Sequence, residues 1–119
     1  LATDDYVRNM ARAIAFGTDG DMPYTTQQPI PRWPELNPHL RVFVEFSNEI
    51  WAGGASFPQG DWATLMGVAN NMSRTTFIAR RFVDVWRIFE SELGADRVVR
   101  VGAVWSGQEQ YSSEFLAEV

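Results

Sequence analysis

Two short runs of β-branched and aromatic residues, at 40–46 and 98–104, flank a long segment whose apolar residues recur at helical spacing. That alternation restricts the chain to α/β arrangements. In the central segment Ile78, Phe82, Val85, Trp86 and Phe89 fall on one helical face, Ser73 stands where an N-cap belongs, and Leu93-Gly94 supplies a stop. Strand, long helix and strand in that order predict a βαβ unit with parallel strands and a right-handed crossover. Each run is short and apolar enough to be covered on both faces.

Further elements frame this unit. Thr3 followed by Asp4 and Asp5 starts a helix, along which Val7, Met10, Ala11 and Ile14 repeat until Gly17 ends it. From 18 to 38 the composition turns to Gly, Asp, Thr and Gln with five prolines, which forbid regular pairing and predict a long ordered surface loop. A short helix is expected at 61–66 and another beginning near 112. No internal repeat or low-complexity tract is present.

Composition removes several chemistries. The formal net charge is -5 and every basic side chain is Arg, which argues against a nucleic-acid partner and excludes Schiff-base and P-loop lysine mechanisms from this segment. With Cys 0 there are no disulfides, thiolate nucleophiles or zinc-thiolate sites. No apolar run approaches the roughly 20 residues of a spanning helix, so no membrane partner is expected. The chain opens on Leu1 and stops at Val119 as a new segment begins, and it reads as a piece of a larger protein.

His39 is the only histidine, so a His-based metal centre or Ser-His-Asp relay is not encoded here, and neither metal nor cofactor is expected. Thr18-Asp19-Gly20-Asp21 lacks the spaced ligands and terminal Glu of a calcium loop. Asn71-Met72-Ser73 has the form of a glycosylation sequon, although Ser73 is better explained as a helix cap.

The residues that carry chemistry stand where the first strand ends. Arg41-Val42-Phe43-Val44-Glu45-Phe46-Ser47-Asn48-Glu49-Ile50-Trp51 runs from a strand into an amide followed by a carboxylate. By the two-residue period Glu49 continues the face of Phe43 and Glu45 if the strand stays extended. Glycoside hydrolysis requires a proton donor for the leaving oxygen and a second carboxylate opposite it. Glu49 can supply one of these, and Asn48 can donate to a sugar hydroxyl as positive charge develops at the anomeric carbon. Trp51 and Trp105 offer aromatic faces for pyranose rings, with Ser106 beside the latter. Trp33 either edges a cleft or pins its loop, and Trp86 and Phe89 belong to the helix core. Glu45, on an inward strand position, requires a partner such as Arg41 or Arg100.

Val44-Glu45-Phe46-Ser47-Asn48-Glu49-Ile50-Trp51 resembles the fourth-strand motif of the clan A retaining glycoside hydrolases. Ala2-Thr3-Asp4-Asp5-Tyr6-Val7 and Phe57-Pro58-Gln59-Gly60-Asp61-Trp62-Ala63 are similar to segments of a bacterial cellulase-like branch of that clan. The resemblance implies a partial (β/α)8 TIM barrel, with residues 1–119 forming a slice of one catalytic domain from the third helix into the fifth. It also implies Glu49 as general acid/base, Asn48 as sugar-hydroxyl ligand, a carbohydrate substrate with a β-linkage, and a nucleophilic Glu from a later strand. A secreted or extracellular parent follows from the same resemblance, and the rest of the parent barrel would be the partner of this segment. Ala52 departs from the pattern, which has a polar residue such as Asn after the Trp. Two other readings remain open: a carbohydrate-binding relative without turnover, and a structural segment with no function of its own.

Overall fold

The computed structural model describes residues 2–105 and 107–119. Among these the order is α1 (Asp4–Phe16), β1 (Val42–Glu45), α2 (Pro58–Ala69), α3 (Arg74–Leu93), β2 (Val98–Val101) and α4 (Glu109–Leu116). The two strands pair in parallel as one sheet. The chain forms two compact units, one comprising Leu1–Val44 and Val85–Arg100, the other Glu45–Asp84 and Val101–Val119.

In the first unit the Thr3 hydroxyl accepts from the Tyr6 amide at 3.3 Å, and Asp4 and Asp5 occupy the positive end of α1. Gly17, at φ 83°, ends the helix; a Cβ there would lie 2.2 Å from the Trp33 carbonyl oxygen, so only glycine fits. Val7, Ala11 and Ala15 form the buried stripe, whereas Met10 faces outward. The proline-rich segment is an ordered loop without regular strands. Thr18 exchanges backbone hydrogen bonds with Trp33 at 2.9 and 3.0 Å, which holds the loop closed while the Trp33 ring stays exposed.

Strand entry is tied down by Arg97. Its main-chain carbonyl accepts from the Val42 amide at 2.7 Å, and its guanidinium donates to the Asn37 and Leu40 carbonyls, each at 3.3 Å. The Trp86 indole N–H donates to the Val44 carbonyl at 2.9 Å, joining the second half of α3 to β1. Arg100 pairs with Glu90 at 2.7 Å and lies over the Trp86 ring.

In the second unit Phe82 is fully buried and meets Phe46 and Phe115 edge-on, at centroid separations of 5.7 and 5.2 Å. Ser73 caps α3 by accepting from the Thr76 amide at 3.0 Å, and its hydroxyl donates to Glu114. Thr76 adds a second hydroxyl bond to the same carboxylate oxygen at 3.0 Å. Arg80 pairs with Glu118 at 2.9 Å, so the C-terminal end of α4 and the residues after it are fastened to the first half of α3. All five residues of the expected α3 stripe are buried.

The expected partial (β/α)8 barrel is not what forms. Among the described residues the fold is a small α/β arrangement of four helices and one two-stranded parallel sheet. A barrel strand is covered on both faces, by layered side chains inside and a helix outside. In β1 only the Val44 side is buried, while Phe43 is 72% exposed and Glu45 faces solvent. The run predicted at 40–46 pairs only over Val42–Glu45, and Leu40 is exposed. Glu45 is therefore not an inward carboxylate in need of an arginine, and Arg100 is committed to Glu90.

Two measurements check this packing. Phe82→Ala removes the ring shared by three elements and is expected to destabilise by about 3–5 kcal/mol in urea unfolding, against under ~0.5 kcal/mol for Phe43→Ser. The second concerns acid. Hydrogen bonding from Arg100 holds the Glu90 carboxyl below its ordinary 4.5, so its ionised form favours the folded chain. The contribution is present above about 4.5 and is lost as pH falls through the lowered folded value. Arg100→Met should lower stability at neutral pH by less than about 1 kcal/mol, since Arg100 is half exposed, and the gap from the unaltered protein should close in acid.

A strand-exit turn held by the first turn of α2

After Glu45 the chain does not stay extended. Ser47 and Glu49 take φ of 62° and 47°, the left-handed region that L side chains adopt only where surrounding structure imposes it. Glu49 consequently leaves the face of Phe43 and Glu45 and sits half-buried on a turn closed by the Ala52 amide, which donates to the Glu49 carbonyl at 2.9 Å. Ile50, fully buried, roots this turn, and Asn48 is exposed at its tip.

Three consecutive residues of α2 contact the segment. Gln59 Nε2 donates to the Asn48 carbonyl at 2.8 Å. Gly60 has its backbone directly on the turn: a Cβ there would lie 1.3 Å from the Ala52 carbonyl oxygen and 3.0 Å from that of Ile50. Both Asp61 carboxylate oxygens accept from the Gly54 amide at 3.1 Å. Sequence reasoning assigned no role to these three residues. Gly60, a glycine immediately before the expected helix at 61–66, was the available signal of a close backbone approach.

The proposed site residues are only partly gathered. Asn48, Glu49 and Trp51 share one turn, with Trp51 half-buried. Trp105 is 47% exposed in the segment between β2 and α4, its indole nitrogen 2.9 Å from where a Gly107 Cβ would stand. Among the described residues no hydrogen bond joins it to Glu49, and Ser106 lies outside them. Among the same residues no hydrogen bond or ion pair engages the Glu49 carboxylate, so it neither caps its own turn nor bridges to an arginine there. Asn48 is anchored through its main-chain carbonyl rather than its amide.

Chemically this is a carboxylate and an amide, adjacent and held at a strand exit. Such a pair can exchange a proton with a substrate oxygen and hydrogen-bond a hydroxyl, but one carboxylate does not complete glycoside hydrolysis. Among the described residues no group of three or more His, Asp or Glu side chains is placed to hold a metal ion. Asp19, in the segment read for calcium, instead accepts from the Met22 and Asp21 amides at 2.7 and 2.8 Å, which lower its carboxyl from the ordinary value. His39 is exposed.

Comparison of the chain with protein-family models, with curated proteins and with solved structures found no match.

The contact at Gly60 can be tested against a glycine of different character. Gly60→Ala should destabilise by about 2–3 kcal/mol through overpacking. Gly54→Ala, at φ 86° with open space around it, should lose only about 1 kcal/mol from backbone strain, both read by thermal or urea unfolding.

Proposed function

We propose that this chain supplies the acid/base half of a retaining glycosidase site acting on a β-linked glycan, with Glu49 as the proton-transfer residue and Asn48 as a ligand to a sugar hydroxyl. The observation that carries the reading is the Glu49 carboxylate itself, set on a turn of two left-handed residues and engaged by no described neighbour. Backbone strain of this kind gathers where function demands a side-chain placement that relaxed backbone does not provide. The likeness of Val44-Glu45-Phe46-Ser47-Asn48-Glu49-Ile50-Trp51 to the acid/base segment of retaining glycoside hydrolases supports the same assignment, on the motif and independently of the fold.

In the reaction Glu49 protonates the glycosidic oxygen as the bond to the anomeric carbon breaks and a nucleophilic carboxylate attacks from the opposite side. Glu49, now ionised, takes a proton from water, which adds to the anomeric carbon and frees the nucleophile. The nucleophile is proposed to come from sequence beyond these 119 residues. Asn48 strengthens its bond to the sugar as positive charge builds on the ring. Trp51, on the same turn, supplies the aromatic face for a pyranose ring in this reading.

The full-length protein should hydrolyse at least one β-linked glycan in a screen, and Glu49→Gln should lower its turnover by about 10²–10⁴. Thermal unfolding of the variant should match the unaltered protein within about 0.5 kcal/mol. Equal hydrolysis by both would remove Glu49 from the chemistry, and glycan binding without hydrolysis by the unaltered protein would favour a binding role.

A further inference from the structure

We propose that Gln59, Gly60 and Asp61 are positioning residues for the Asn48-Glu49 pair, and that the Gln59 amide is the contact that sets the tip; this rests on the acid/base reading of Glu49.

Ser47 and Glu49 each hold a positive φ that an L residue leaves when nothing restrains it, and Asn48 lies between them. The restraint at that middle residue is the hydrogen bond from Gln59 Nε2 to the Asn48 carbonyl. Next along α2, the absence of a side chain at Gly60 lets the helix backbone rest against the carbonyl oxygens of Ile50 and Ala52. The Asp61 carboxylate then captures the Gly54 amide, on the far side of the same loop. One helical turn thus grips the strand exit in sequence order, at Asn48, at Ile50 and Ala52, and at Gly54.

A grip is useful only if it is itself fixed, and α2 is. Ala63 is fully buried, and Trp62 meets Phe77 of α3 edge-on at 5.4 Å. The helix end is equally close, since a Cβ on Gly67 would stand 3.0 Å from the Met72 carbonyl oxygen. The Asn48-Glu49 tip is therefore referenced to α3 through α2. Proton transfer to a glycosidic oxygen is sensitive to displacements of about 1 Å, so slack at this contact appears in turnover before it appears in substrate affinity.

The test uses three substitutions in the full-length protein. Gln59→Met keeps the length and removes the donor, Gln59→Glu places an ionised acceptor against the Asn48 carbonyl, and Gln59→Lys restores a donor. The first readout is hydrogen exchange at the Ala52 amide, whose bond to the Glu49 carbonyl closes the turn. Exchange should accelerate about fivefold in Gln59→Met and further in Gln59→Glu, and return close to the unaltered rate in Gln59→Lys. The second readout is steady-state hydrolysis of whichever β-glycan the unaltered protein cleaves: kcat should fall in the same order with KM changed by less than about twofold, and Lys should rescue it. Unchanged Ala52 exchange in the Met and Glu variants would overturn the proposal, as would an equal loss of kcat in all three. Should Glu49→Gln retain full turnover, the acid/base reading falls by that result alone, and the exchange data still decide whether Gln59 holds the loop.

Discussion

Phe82 is the residue on which the arrangement around the site depends. Its ring is wholly buried and meets Phe46 and Phe115 edge-on, so one side chain of α3 joins the residue just after β1 to α4. Edge-to-face aromatic pairs add about 0.5–1.5 kcal/mol each beyond the area they bury, and their geometry is directional. Phe46 immediately precedes Ser47, and Arg81 lies over the Phe46 ring with its guanidinium carbon 5.8 Å from the ring centroid. The point at which the chain leaves the strand is therefore set by core packing, before any residue of the tip contributes.

From that fixed origin the chain turns through two left-handed residues, and α2 returns to hold the result. The division of labour is physical. Apolar burial at Phe46 and Ile50 roots both ends of the tip, and polar contacts from Gln59 and Asp61 shape what lies between and beyond. Among the described residues neither Asn48 nor Glu49 spends its side chain on the turn it occupies, and the tip is held through its backbone.

Local signals were legible where local physics decides the outcome. The Thr3 cap, the Gly17 stop, the Ser73 cap and the buried face of α3 follow from hydroxyl geometry, glycine's freedom at positive φ and helical periodicity. The parallel pairing of β1 and β2 was also readable, from the helical connection between them. Barrel closure was not readable, because coverage of a strand's second face is a tertiary property. The side chains of Phe43 and Glu45 fit either a covered or an open face, and the structure leaves both in solvent. Of the expected α1 stripe Val7 and Ala11 are buried and Ile14 half-buried, whereas Met10 faces outward and Ala15 completes the buried row. At the site, the residue types at positions 48 and 49 were visible in sequence, whereas the left-handed turn was not: a serine and a glutamate carry no preference for positive φ, and the contact from Gln59 crosses eleven positions.

Chemical rescue decides whether Glu49 transfers protons during double-displacement hydrolysis. Glu49→Ala should be slow on natural β-glycans yet still form the glycosyl-enzyme from an aryl β-glycoside whose leaving group needs no protonation. Azide, which attacks without a general base, should then restore turnover and yield a β-glycosyl azide with retained configuration. Failure of azide to accelerate the variant, with only the free sugar released at the unaltered protein's rate, would contradict the account.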